Sequence, residues 1–268
     1  MRTNYAPPVA ELLTLGDRHD GSEWPNYLEL GLDAEHIPEL ISLATNTKLY
    51  WAESEGPEVW GPVHAWRALG QLRAAAAIEP LLPLFHELID SDWASEELPE
   101  VYGMIGPSAI PALDRYVTNP SHGLWPRLAA AHSLERIAVQ HPTAHPDCVA
   151  ALSHQLEQFP TNEPELNGFL ISYLVELKAT EAAPLIERAY AANRVDISIV
   201  GDWEDAQVAL GLKAARETPR PRYHPFQFPL MPPIAAPKEK SSAEKAAAKA
   251  KAKRKQAKAS RKKNKQRK

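Results

Sequence analysis

A recurrent helix opening is the feature that most limits what this chain can fold into. In three segments a proline lies two or three residues after an alanine and one or two residues before a leucine. Proline suits the first turn of a helix, because its fixed φ is helical and the N–H that it lacks has no partner there. The three prolines therefore predict three equivalent helices, each preceded by an apolar helix. The openings are residues 77–81, 109–113 and 182–185, with prolines at Pro80, Pro111 and Pro184.

The apolar residues that end the preceding helices show the period of the repeat. They are Leu72, Ile105, Ile137 and Leu177, at intervals of 33, 32 and 40 residues. We interpret the longer third interval as an insertion over residues 139–146. Apolar residues at helical spacing over residues 78–88 predict one continuous second helix there. Two helices per unit at this period indicate an α-solenoid, in which each pair covers the apolar face of its neighbour.

The paired helices and the recurrent proline opening resemble HEAT repeats, in the short bacterial form also called HEAT-like or phycobilin-lyase-like. The resemblance covers roughly residues 59–190. It implies an all-α fold, a right-handed α-α superhelix of about four to six helix pairs. It indicates little about activity, because one fold carries many functions.

Composition divides the chain further. We predict an N-terminal helical cap, a repeat solenoid, a proline-rich aromatic strap and a Lys/Arg/Ala tail, at residues 1–58, 59–216, 217–237 and 238–268. The strap contains seven prolines and cannot be helical, so we expect an extended segment that packs on the solenoid. The tail holds 15 of the 30 basic residues and only two of the 34 acidic ones. It is therefore predicted to be disordered when free, and the rest of the chain is strongly acidic.

The cationic tail is the strongest functional signal in the sequence. Its charges would release counterions from a polyanion such as nucleic acid or a ribosome, and would contact phosphates without reading bases. Two alternatives stay open, a solubilising tail and a tail that folds back on the acidic body. The residues predicted to bind the polyanion are Lys249, Lys251, Lys253, Arg254, Lys255, Lys258, Arg261, Lys262, Lys263 and Lys265.

Tryptophans near helix starts and loops suggest a second binding surface, on the solenoid. Carboxylates crowd the same segments, so these aromatic residues would suit a basic, apolar segment of a protein partner. The same acidic character argues against DNA as a ligand of the body, because DNA requires a basic groove. The alternative for each tryptophan is that it fills a gap between repeats. The candidate partner contacts are Trp51, Trp60, Trp93, Trp125 and Glu97.

Signatures of metal binding and catalysis are weak. His141, His145 and Cys148 mix metal-ligand types at short spacing, with His154 nearby. A proline follows each of the first two histidines and breaks the helix that would align them, so we predict no metal site. HEAT-like deoxyhypusine hydroxylases hold iron with several His-Glu pairs, whereas this sequence has one such pair, at His86. We expect the lone cysteine to be a small buried residue, and we predict neither a catalytic residue nor a cofactor.

The remaining expectations concern location and function. The N-terminus lacks the apolar segment of a signal peptide, and no stretch approaches about 18 uninterrupted apolar residues, so we expect a cytoplasmic protein without a membrane span. Our first hypothesis is a non-enzymatic adaptor or scaffold that binds a protein partner through the solenoid and a polyanion through the tail. The alternative that follows from the resemblance is a phycobilin-lyase-like chromophore lyase or its chaperone subunit. A third is a role in assembling a larger enzyme.

Overall fold

The computed structural model describes residues 5–17, 24–52 and 56–220. Within these ranges every regular element is helical and no strand occurs, which confirms the prediction of an all-α fold. The predicted tail and most of the strap lie outside the described residues. The α-helices are α1 (Ile37–Ala44), α2 (Thr47–Tyr50), α3 (Gly61–Gln71), α4 (Ile78–Leu81), α5 (Leu84–Glu87), α6 (Asp92–Ile105), α7 (Ile110–Thr118), α8 (Leu124–Gln140), α9 (His145–Leu156), α10 (Pro164–Glu176), α11 (Ala183–Ala191), α12 (Ile197–Val200) and α13 (Trp203–Ala209).

The proline openings recur in the structure with a shared backbone form. A short 3-10 helix that ends on a buried alanine precedes each of α4, α7, α9 and α11. These 3-10 helices are Ala75–Ala77, Pro107–Ala109, Pro142–Ala144 and Thr180–Ala182. Proline is the second residue of α7, α9 and α11, where its missing N–H leaves no hydrogen bond unmade. The openings predicted at Pro111 and Pro184 are thus confirmed, and Pro146 of α9 joins the pattern, whereas Pro80 is the third residue of the short helix α4.

The prediction of one continuous helix over residues 78–88 is wrong. The segment forms two short helices, α4 and α5, with Pro83 between them. Proline cannot donate a hydrogen bond to the carbonyl four residues earlier, and its ring crowds that carbonyl. The apolar residues of this segment nevertheless face the core, because Leu81, Phe85 and Leu88 are buried.

The predicted insertion over residues 139–146 is only partly right. Helix α8 continues to Gln140, and the 3-10 helix that follows matches the connection between α6 and α7. The extra length has three parts. Helix α8 itself has 17 residues where α6 has 14. Helix α9 has 12 residues where α7 has nine, and the connection from α9 to α10 is longer than that from α7 to α8.

The helices pack in two layers. In the first layer α3, α6, α8 and α10 each pack on the next, and α7, α9 and α11 follow one another in the second layer. Helix α1 packs on α3 at the N-terminal end, and α12 and α13 pack on α10 at the C-terminal end. Each helix pair is therefore covered by its neighbours in the chain, as in an α-solenoid. Trp66, Leu69, Tyr102, Leu134 and Leu170 belong to its continuous core.

Two glycines allow the first-layer helices to approach closely near their C-terminal ends. A Cβ atom on Gly70 of α3 would lie 3.1 Å from the Sδ of Met104 in α6. A Cβ atom on Gly103 of α6 would lie 3.1 Å from the Cβ of Arg136 in α8. Both distances are tight, so these positions favour the residue without a side chain. The two glycines are 33 residues apart, which is the period of the repeat.

Candidate functional site

Three tryptophans occupy one position at the start of consecutive first-layer helices. Trp60 directly precedes α3, and Trp93 and Trp125 are the second residues of α6 and α8. They are 33 and 32 residues apart, which are also the first two intervals between the apolar residues that end these helices. Trp51 follows α2, which packs on α3 and on the 3-10 helix Pro57–Trp60. We call these four residues the tryptophan edge.

Ring contacts connect part of this edge. The indole rings of Trp60 and Trp93 meet edge to face, with centroids 5.7 Å apart. Trp51 packs in the same way on Tyr50, at 4.9 Å. The Tyr50 hydroxyl hydrogen-bonds to the hydroxyl of Ser91, which caps the N-terminus of α6. The start of α6 is therefore held against the turn that carries Trp51.

The four tryptophans differ in exposure. This difference shows which of them can contact a partner and which fill a gap between repeats. Trp60 and Trp93 are half-buried against one another, as expected of residues that fill a gap between repeats. Trp51 is 52 % exposed and Trp125 is 62 % exposed, so neither fills a gap. Trp125 and the exposed Ile89 line a shallow apolar pocket with residues of α5 and α6. Large exposed apolar side chains grouped in this way mark interaction surfaces.

Four exposed carboxylates lie on the segments that carry Ile89 and the α6 residues of this pocket. Glu87, Asp90, Asp92 and Glu96 are all exposed, and none forms an ion pair within the part of the chain that the structure describes. They lie on α5, on the turn after it and on the first turns of α6. These carboxylates lie near Ile89 in the chain, and no described residue neutralises their negative charge. A basic segment is the complementary ligand for such a surface.

The interpretation of Glu97 as a partner contact is wrong. Its side chain is buried, and the carboxylate binds the guanidinium of Arg67 through two hydrogen bonds, one of them 2.7 Å from Nε to Oε2. Trp66 Nε1 donates a third hydrogen bond to Oε2, at 3.2 Å. The Arg67 guanidinium also lies 5.1 Å from the ring centroid of Trp24. Glu97 thus connects α6 to α3 in the interior.

The histidines considered as metal ligands bind different partners and do not meet at one site. His141 Nε2 hydrogen-bonds to the carbonyl of Gly103, and His145 Nε2 hydrogen-bonds to the carbonyl of Leu177, each at 2.9 Å. His154 lies 3.3 Å from a carboxylate oxygen in α7. Each ring therefore serves a different repeat. Among the described residues no group of three His, Cys, Asp or Glu side chains is placed to hold a metal ion.

Cys148 is fully buried, and its reactivity is testable. Burial raises the pKa of its thiol to about 12, with a further contribution from the charge of Asp147. We expect Ellman's reagent to label the native protein at least about a hundredfold more slowly than the urea-unfolded chain, because the thiolate is the reactive form. Absorbance of the released product gives both rates. Labelling of the native protein at the unfolded rate would contradict the buried placement.

Other candidate residues lie outside the described part of the chain. The ten cationic residues predicted to bind a polyanion all lie beyond residue 220. Sequence reasoning identified the four tryptophans but missed the common register of Trp60, Trp93 and Trp125, which their spacing of 33 and 32 residues already shows. It also missed Ile89, whose exposure follows from the break between α5 and α6.

No protein-family model, curated protein or solved structure matches this chain. The HEAT-like resemblance therefore depends on the repeat pattern and stays a prediction. No helix in the described ranges combines the length and the apolar character needed to cross a bilayer.

Proposed function

We propose that this protein is a non-enzymatic adaptor whose tryptophan edge binds a basic, apolar segment of a protein partner. Two observations carry the proposal: Trp51 and Trp125 are exposed, and the segment from α5 to the start of α6 presents exposed carboxylates that have no described ion-pair partner. Indole faces provide large, rigid contact areas and attract cations over the ring. Neighbouring carboxylates would select lysine or arginine in the same segment.

The cationic tail provides the second contact of the proposed adaptor. Its 15 basic residues would hold nucleic acid or another polyanion through phosphates, and the acidic solenoid would repel the same ligand. The two contacts would therefore not compete for one ligand. Such a division of labour would bring a protein partner to a polyanion.

Site-specific crosslinking in the native cell tests the solenoid contact. With the photoreactive residue p-benzoylphenylalanine in place of Trp125, we expect one or a few proteins to be trapped through a basic segment that mass spectrometry identifies. The triple variant Asp90→Asn/Asp92→Asn/Glu96→Gln should lower the yield by about tenfold, because it removes the attraction for that segment.

The control position for this experiment is Val139, which is 50 % exposed in the last turn of α8, away from the tryptophan at its start. Val139→p-benzoylphenylalanine should not trap the same protein. Equal adducts from both positions, or a trapped segment rich in acidic residues, would contradict the proposal. Unchanged thermal unfolding of the triple variant will show that its fold is intact.

A further inference from the structure

A polar cleft lies between two repeats, apart from the exposed tryptophans. It is bounded by the end of α7, the first turn of α8 and the connection from α9 to α10, and its volume is about 400 Å³. A volume of this order suits a small ligand or the end of a peptide. Arg127, Gln155 and Gln158 line it, together with Thr118 and Thr161.

The guanidinium of Arg127 is buried with part of its hydrogen-bonding capacity unused. The residue is 3 % exposed; Nε donates to the carbonyl of Val117 at 2.7 Å, and Nη1 donates to Glu163 at 3.2 Å. Nη2 makes no hydrogen bond to any described residue. A buried arginine usually has both terminal nitrogens bound, because its charge is expensive to desolvate.

Comparison with Arg67 shows how incomplete this pairing is. Both arginines are buried in the first-layer helices. Arg67 meets Glu97 through two hydrogen bonds, which outweigh desolvation and raise its pKa. Desolvation lowers the pKa of Arg127, and the single contact with the half-exposed Glu163 does not offset it. An additional acceptor at Nη2 would supply the missing stabilisation.

A second unsatisfied group belongs to a residue that lines the same cleft, and it lies just beneath the cleft surface. Gln155 is 2 % exposed, and its Oε1 has no hydrogen-bond partner. A chain of amides fixes which end of this side chain carries the oxygen. Asn167 Nδ2 donates to the carbonyls of Phe159 and Arg194, so Asn167 Oδ1 must accept from Asn162 Nδ2. Asn162 Oδ1 then accepts from Gln155 Nε2 at 2.7 Å, which leaves Oε1 as the free acceptor.

We propose that this cleft binds the C-terminal residue of a peptide, with its carboxylate on Arg127 Nη2 and its backbone N–H on Gln155 Oε1. A peptide end offers an anionic acceptor and a neutral donor within one residue, and these are the chemical complements of the two unsatisfied groups. Inorganic phosphate fits less well, because a dianion would bring a second negative charge beside Glu163, which lines the cleft and already pairs with Arg127. None of the four tryptophans lines this cleft.

Nuclear magnetic resonance titration provides the test. The probes are N-acetyl-alanyl-alanine with a free carboxylate, the same dipeptide as its C-terminal amide, and inorganic phosphate. We expect the free acid to shift the Arg127 Hε and Gln155 side-chain resonances and to bind at least about tenfold more tightly than the amide, since only the acid supplies the anion. Arg127→Met should weaken binding of the acid about tenfold or more.

Two further variants keep the test decisive if Arg127→Met does not fold. Gln158→Glu places a negative charge on an exposed residue of the cleft and should weaken binding of the acid several-fold without changing stability. Arg115→Met removes an exposed arginine of α7 and should have no effect. Equal binding of acid and amide, binding of phosphate in preference to the acid, or no shift with any probe would each overturn the proposal.

Discussion

Replacing Glu97 by leucine is expected to lower the free energy of unfolding by about 3–5 kcal/mol. The substitution leaves the guanidinium of Arg67 buried at 1 % exposure without its carboxylate. It also removes the acceptor of the Trp66 indole N–H. A buried charge that loses its partner retains its full desolvation penalty, which is larger than the net contribution of the pair. Urea unfolding monitored by circular dichroism measures the change from the midpoint and slope.

Two controls separate this effect from a simple loss of packing. The double variant Arg67→Met/Glu97→Leu removes both charges and should recover most of the lost stability, because an apolar pair can replace a buried ion pair. Arg115→Ala breaks an exposed ion pair with Glu79, and we expect a change below about 1 kcal/mol. If Glu97→Leu were as mild as Arg115→Ala, the buried pairing would be incorrect.

The repeat architecture was predictable because its signals are local. Proline in a helix opening and apolar residues at helical spacing act within one or two turns, and both recur at the repeat period. The sequence contains a further proline opening that was not predicted. Helix α1 also begins Ile37-Pro38, after a 3-10 helix, in the manner of α7. The proline opening therefore extends into the N-terminal segment that was predicted only as a cap.

The placement of charged residues was not predictable in this way. Glu96 and Glu97 are adjacent in the sequence and look equally suited to the surface, yet one is exposed and the other is buried. What distinguishes them is Arg67, which lies 30 residues earlier on the neighbouring helix. The cleft at Arg127 also depends on contacts between different helices, since its two unsatisfied groups belong to α8 and α9. Such sites depend on contacts between repeats, and a single sequence does not report those contacts.

Salt concentration is expected to have the largest effect of all, on binding of the intact protein to RNA or DNA. Contacts with six to ten phosphates would reduce affinity by about 10³–10⁵ between about 50 and 200 mM salt, because each neutralised phosphate releases counterions. Residues 238–268 contain 15 basic residues, enough for contacts of this number. Truncation after Pro237 should abolish binding, since the remaining chain holds 15 basic and 32 acidic residues. Fluorescence anisotropy with a labelled oligonucleotide measures both results.

A tail of the same composition in scrambled order is the matched control for the truncation. Because phosphate contacts carry no sequence information, the scrambled tail should bind with the same affinity and the same salt dependence as the natural one. A large loss on scrambling would instead indicate a specific motif. Equal binding by the truncated chain would assign the affinity to the acidic solenoid and overturn the division of roles proposed for the adaptor. The truncated chain should still crosslink its protein partner at residue 125, because that contact requires only the solenoid.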